Sequence, residues 1–261
     1  MGFETIRYAV NGKIAILAID RPRVKNAINR QTMEEMSAAI GLAEQNRSLR
    51  ALILTATGHD VFISGGDLRY FQSLSNDRQV REMLLTMRRL LGRIENLPVP
   101  VIAAVNGVAI GGGTEVALAC DLRVAAAEAS FMFRQVDVGL MTAWGGGQRL
   151  QRLVGPARAS RLLLLGEVVS AKDALALGLV DRVVSRSKLM SEAGAIARRI
   201  AAKPPLSIRA MKQALVRGRE MSFQKGLTLE EKLFRSLWRS KDHDEAVAAF
   251  LEKRRPEFRG E

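Results

Sequence analysis

Two short glycine-rich stretches hold the residue types best suited to chemistry. The first is Phe62-Ile63-Ser64-Gly65-Gly66-Asp67-Leu68, downstream of the apolar run ALILTAT. The second is Gly107-Val108-Ala109-Ile110-Gly111-Gly112-Gly113-Thr114-Glu115, which follows PVIAAVN. Glycine inside a regular element costs about 0.5–1 kcal/mol relative to alanine. Three in a row therefore point to unusual torsions or to a main chain that comes close to a ligand. Backbone N–H groups freed at such turns, above all where a helix begins, can bind an anion or a developing oxyanion. Two donors from two different loops make a pair able to polarise one carbonyl. Glu115 near the start of the following helix either offsets the helix dipole or serves as an acid/base group. Neither stretch fits G-x-G-x-x-G or the phosphate-binding P-loop, which disfavours nucleotide binding by those motifs. Each stretch alone also reads as a tight strand-to-helix turn. The pair together is harder to explain that way.

Other chemistry has few candidate parts. Only His59 and His243 are available for histidine-rich metal sites or a Ser-His-Asp triad. His59 sits in a polar loop and His243 at an exposed helix start. The single cysteine, Cys120, lies inside an apolar run and excludes an internal disulfide, which suits a reducing, cytoplasmic compartment. No apolar run approaches the ~18 residues of a membrane span, and the N-terminus lacks the apolar centre of a signal peptide. The chain begins Met-Gly, but Ile6 breaks the myristoylation pattern. The formal charge of +13 favours anionic partners. Its basic residues recur as pairs on helical segments, such as Arg88-Arg89 and Arg198-Arg199, where a solvated face accounts for them. Aromatics make up only 5% of the chain, too few to interleave as a stacking platform for single-stranded nucleic acid.

The elements that must position the two glycine stretches follow from periodicity. With 261 residues, 48% of them hydrophobic, the chain can bury one large core. KIAILAID (13–20), ALILTAT (51–57) and VPVIAAVNG read as strands, and LRVAAAE and ASFMFRQ as shorter ones. Met33, Met36, Ala39, Ile40 and Ala43 mark one helix. Val80, Met83, Leu84, Met87, Leu90 and Leu91 mark a second, over 77–95. TEVALACD reads as the next helix. After Trp144 the pattern is helical almost to the end. Strands alternating with helices predict an α/β core with several parallel strands. The chain from about 204, beyond the Lys203-Pro204-Pro205 break, reads as a helical subdomain. The expected division is a core over 1–203 and a helical unit over 204–261.

The chain resembles the crotonase, or enoyl-CoA hydratase/isomerase, superfamily. The resemblance runs nearly end to end through RPRVKNAIN, FISGGDL, PVPVIAAVNGVAIGGGTEVALACDLRVAA, VGL…GGGQRL…VG, GLVDRVV and AFLEKRRPEF. It implies a ββα spiral core with a C-terminal helical subdomain that builds trimerisation contacts and part of the acyl pocket. It also implies that the N–H groups of Gly66 and Gly112 form the oxyanion hole for a thioester carbonyl. A donor aimed at such an enolate is worth about 3–4 kcal/mol. Lys25 and Ala27 fall where the family wraps main chain against coenzyme A. Asp67, Leu68 and Arg69 match positions that hold the acyl-CoA. Phe234 and Phe250 match acyl-pocket positions, and Lys253 matches a CoA-phosphate contact from a neighbouring subunit. Trp144 lines that pocket or packs in the core.

Glu115 matches the first catalytic glutamate of the hydratases. The second maps to Gln135, a departure, because an amide cannot titrate near neutral pH although it can hold a water or the substrate. Asp137 is two residues on, within possible reach of the site. Ala143 stands where some relatives carry an extra aspartate, which counts against dehalogenation and dienoyl isomerisation. The implied activity is addition of water to a 2-enoyl-CoA with Glu115 as acid/base. Alternatives are a one-carboxylate isomerase or decarboxylase, or a silent acyl-CoA- or RNA-binding paralogue. The resemblance calls for no metal and no cofactor beyond the coenzyme A of the substrate. It implies a homotrimer or homohexamer.

Overall fold

Runs such as ALILTA and VIAAV, apolar at every position, can only be strands covered on both faces. In a computed structural model describing residues 2–261, they form the middle of a six-stranded sheet. The chain opens with β1 (Ile6–Asn11) and β2 (Ile14–Ile19), an antiparallel hairpin in which Asn11 faces Ile14. It then forms α1 (Arg30–Gln45), β3 (Ala51–Ala56), β4 (Val61–Ile63) and the short α2 (Leu68–Gln72). Next come α3 (Asp77–Asn96), β5 (Val101–Val105), β6 (Val108–Ile110) and α4 (Gly112–Leu118). β7 (Leu122–Ala126) and β8 (Ser130–Met132) follow, then α5 (Gly146–Val154) and α6 (Pro156–Leu165). β9 (Val169–Ser170), α7 (Ala171–Ala176), β10 (Arg182–Val184) and α8 (Leu189–Ala201) complete this part. The remainder is helical: α9 (Pro205–Gly218), α10 (Phe223–Leu237) and α11 (Lys241–Leu251).

The large sheet has the order β1-β2-β3-β5-β7-β10, parallel except for the β1–β2 hairpin. A smaller sheet has the order β4-β6-β8-β9 and is antiparallel only at β8–β9. Successive strand pairs β3/β4, β5/β6 and β7/β8 each send one strand to each sheet, and this stacks ββα units as a spiral. The expected α/β core with a helical C-terminal region is the fold observed. Helix starts are set locally. Asn29 accepts from the Thr32 N–H at 2.9 Å and Asn76 from the Gln79 N–H at 3.0 Å, both as N-caps.

Two expectations need correction. The hydrophobic pattern starts the first strand at 13 and overlooks β1, an edge strand whose outer residues are exposed. The Asn11-Gly12 pair, with Gly12 at φ +59°, is the turn signal that gives it away. The region after Trp144 is not helical throughout, because β9 and β10 interrupt it. Two or three residues show no periodicity. They become strands only by pairing with β8 and β7.

α9 is tied to the sheet by an ion pair. Lys212 Nζ lies 2.6 Å from Asp121 Oδ2 and also donates to the Val99 carbonyl at 3.0 Å. α10 differs, since none of its side chains is buried. Among the described residues, no helix is long and apolar enough to cross a membrane.

Candidate active site

Glu115 sits in the first turn of α4 and is only 2% exposed. A carboxylate this deep must be hydrogen-bonded to stay charged. Its Oε1 accepts from the Trp144 N–H at 2.9 Å and the Gly146 N–H at 2.7 Å. Its Oε2 accepts from Gln135 Nε2 at 3.1 Å. Burial raises the Glu115 carboxyl above its ordinary value, and the Gly146, Trp144 and Gln135 hydrogen bonds, with the charge of Arg149, only partly offset that rise. Such a group can exchange a proton nearer to neutrality than an exposed glutamate.

Close approach explains the glycines that matter most. A Cβ on Gly146 would run into the Glu115 side chain, and one on Gly112 would run into the Trp144 ring. Trp144 is therefore a packed core residue, 4% exposed, whose ring backs the glycine turn and whose N–H holds Glu115.

The two glycine stretches meet. A Cβ on Gly65 would lie 3.2 Å from the Gly112 nitrogen, so the loops touch main chain to main chain. The loop after β4 is fixed by the Ile28 N–H to the Gly65 carbonyl at 2.8 Å and the Asp67 N–H to the Ile28 carbonyl at 2.9 Å. In the second loop the Gly111 N–H is used on the Met132 carbonyl at 2.8 Å. Neither the Gly66 nor the Gly112 N–H takes part in these fixing bonds. Two backbone donors thus remain for an incoming acceptor, one from each loop, with Glu115 one helical turn away from Gly112.

The other candidates separate into three groups. Gln135 joins the site, and its Oε1 is buried without a hydrogen-bond partner. Asp137 instead pairs with Arg134 at 2.7 Å, with both side chains half-exposed. Around the first loop, Lys25 adopts φ 55°, and its carbonyl accepts from the Ser64 N–H at 3.1 Å. Ala27 is buried beside it and its carbonyl accepts from Arg21. Asp67 has a structural part to play. It caps α2 through the Arg69 N–H at 3.1 Å and pairs with Arg21 at 3.0 Å. Burial works to raise its carboxyl, but Arg21 and the cap hold it below the ordinary value. Leu68 and Arg69 are exposed on that rim. Phe234, Phe250 and Lys253 lie on the C-terminal helices or just beyond, all exposed, with the Phe234 ring 5.7 Å from Trp238. Within one chain these three are not covered.

His59 is exposed, while His243 is half-buried and stacks 4.9 Å from Trp238, which places it away from a fully solvated helix start. Burial pushes the Cys120 thiol up to about 12, so it is no nucleophile at neutral pH. Among the described residues no cluster of His, Cys, Asp and Glu is grouped to hold a metal ion.

Sequence reasoning passed over Gly146, which donates to Glu115, and Arg149, whose Nη1 donates to the Trp144 carbonyl at 2.9 Å. The signal was available. Gly145-Gly146-Gly147 is a second glycine triplet, and the argument for close approach applied to the first applies equally to it.

Comparisons with known proteins point to one family. Residues 9–261 match the family model described as enoyl-CoA hydratase/isomerase. The chain is 38% identical to a short-chain-enoyl-CoA hydratase of Clostridium acetobutylicum, over 94% of each chain. It is 37% identical to a crotonyl-CoA hydratase of Syntrophomonas wolfei, over 99% of each. The crystal structure of an enoyl-CoA hydratase from Bacillus anthracis superimposes with a TM-score of 0.96 at 35% identity, covering 99% of this chain and all of that one. The chain belongs to the enoyl-CoA hydratase/isomerase family.

Proposed function

We propose that this protein adds water across the double bond of a 2-enoyl-CoA thioester. The observation that carries this reading is a buried Glu115, held by the Trp144 and Gly146 N–H groups, beside unused N–H donors on Gly66 and Gly112. The donors take the thioester oxygen as it gains charge, which stabilises the enolate where the chemistry develops it. Glu115 draws a proton from water while the oxygen bonds to the β-carbon. Glu115 then delivers that proton to the α-carbon. Gln135, with no proton to give, orients Glu115 through its amide. The reading requires no metal and no group besides the substrate's coenzyme A, for which Lys25, Ala27, Leu68 and Arg69 form one rim.

A homotrimer, alone or paired as a hexamer, completes the site in this reading. The support is the uncovered apolar surface of 204–261, a helical unit where Phe234, Trp238, Phe250 and Leu251 are all exposed. In such an assembly Phe234 and Phe250 close the acyl pocket and Lys253 reaches a neighbour's coenzyme A. A single buried thiol fits a cytoplasmic setting.

Loss of the conjugated-thioester absorbance of crotonyl-CoA tests the activity. Turnover that vanishes in Glu115→Gln supports it. An inert native protein that still binds acyl-CoA overturns it. Gln135 favours one further reading, an isomerisation or decarboxylation of an acyl-CoA that needs a single carboxylate. Double-bond migration in a 3-enoyl-CoA, faster than hydration of crotonyl-CoA, would select that reading.

A further inference from the structure

We infer that Arg149, anchored by Glu95, is a positioning residue for Glu115: it fixes the turn that grips the carboxylate and places a permanent cation behind it. The inference rests on the reading of Glu115 as the acid/base group.

The geometry begins at Trp144, whose two backbone groups face opposite charges. Its N–H donates to Glu115 Oε1 at 2.9 Å, and its carbonyl accepts from Arg149 Nη1 at 2.9 Å. The preceding carbonyl, Ala143, accepts from Arg88 Nε at 2.8 Å. The turn is thus held by cations on its carbonyl side and by the Glu115 anion on its N–H side. Arg149 is itself held by Glu95 at the end of α3, with Nη2 2.6 Å from Oε2. Glu95 Oε1 meets Arg219, just past α9, at 3.4 Å.

Local preference does not explain an arginine at this position. Arg149 lies in the first turn of α5, where the helix dipole disfavours a cation. Its side chain is only 13% exposed and that of Glu95 18%. An ion pair at such depth adds little stability compared with apolar side chains of similar volume. It even leaves Arg149 Nε buried without a partner. Gly145, at φ +98°, would bring a Cβ within 2.6 Å of Nη1. Besides the Arg219 contact of Glu95, the contacts of the pair are those to the Trp144 turn and, through it, to Glu115.

Other charges near α4 do not substitute for Arg149. β4 and β6, packed against α4, are VFI and VAI and contribute none. After β8, Gln135 is neutral, and Arg134 and Asp137 pair with each other. Arg88 and Glu95 of α3 act through Ala143 and Arg149. Lys212, Asp121 and Arg123 are grouped beyond the far end of α4, where Lys212 and Asp121 pair at 2.6 Å. Burial raises the Glu115 carboxyl, and the Arg149 charge is one of the influences that lower it.

Removing the cation should therefore raise the pH at which Glu115 ionises. The test compares native protein, Arg149→Met, Arg149→Lys and Glu95→Gln. Two readouts are used: the pH profile of crotonyl-CoA hydration, and the ¹³C-carboxyl titration of Glu115, assigned by its loss in Glu115→Gln. For Arg149→Met the acid limb and the carboxyl titration should both move up by about one pH unit. At a fixed pH on the acid limb turnover should fall by about tenfold, the fold-change equal to that shift, and recover in alkali. Arg149→Lys should restore most of the shift, and Glu95→Gln, which removes the anion that offsets Arg149, should give a smaller shift in the opposite direction. Should Arg149→Met fail to fold, the Glu95→Gln shift decides. Activity lost equally at every pH, with the carboxyl titration unmoved, would show a merely structural arginine and overturn the inference. If native protein does not hydrate crotonyl-CoA, a carboxyl shift still upholds the positioning role while the hydratase reading fails.

Discussion

The surroundings of Glu115 and the surface of α10 and α11 are built on opposite terms. At Glu115 every carboxylate contact comes from within the chain, two of them from backbone N–H groups. On α10 no side chain is buried, and Phe223, Phe234 and Trp238 remain open. Exposed aromatic side chains in such numbers set this surface apart from the packed core. The difference teaches that one chain assembles the reacting groups, while it leaves the helical surface of 204–261 uncovered.

The largest effect expected is at the carboxylate. Glu115→Gln should lower crotonyl-CoA turnover by roughly 10³-fold, within the range of a lost general acid/base. The same substitution should not destabilise the fold. The folded Glu115 carboxyl lies above its unfolded value, so the folded state binds the extra proton. Stability therefore falls as pH rises from the unfolded value through the folded one. Glu115→Gln should remove that fall, which urea denaturation at pH 4 and pH 8 would show. A pH dependence identical in both proteins contradicts it.

Next in size is the tie of α9 to the sheet, away from both regions. Lys212→Met leaves the half-buried Asp121 without its cation and should cost about 1–3 kcal/mol, read from denaturant midpoints. The Lys212→Met, Asp121→Leu double variant should recover much of that loss. Gly146→Ala should cost about 1–3 kcal/mol as an overpacked core site, because the new methyl meets Glu115. It should also abolish turnover. A stable, active Gly146→Ala would mean that the turn around Glu115 yields more easily than the structure indicates.

The smallest effect on the folded chain is expected on the open surface. Phe234→Ser with Phe250→Ser should change single-chain stability by less than about 0.5 kcal/mol, as exposed substitutions do. Sedimentation should nevertheless show a shift from trimer to monomer, with crotonyl-CoA affinity reduced. An unchanged oligomer, or a monomeric native protein, would break the contrast drawn here.

Much of this could be read in the order of residues. β2, β3 and β5 are legible because runs buried on both faces are apolar throughout, and α1 and α3 because their buried residues recur at helical spacing. The triplet before Glu115 indicates a close approach of main chain. β9 and β10 are not legible, since strands of two and three residues exist only through their partners. His243 is misread for a similar reason, because its stacking on Trp238 is set by the α10–α11 corner.

The spiral arrangement and the amide opposite Glu115 follow from the family resemblance; by itself the sequence determined the alternation of strands and helices and the glycine turns. Local torsions and burial patterns suffice for these. Only the tertiary structure decided which groups hold that glutamate. The Trp144 and Gly146 N–H groups are about 30 residues away from it, 29 and 31 by sequence separation. Arg149 reaches it through a carbonyl, and Glu95 through Arg149. Hydrogen bonds across such separations depend on how α3, α4 and α5 pack, and no spacing along the chain encodes that packing.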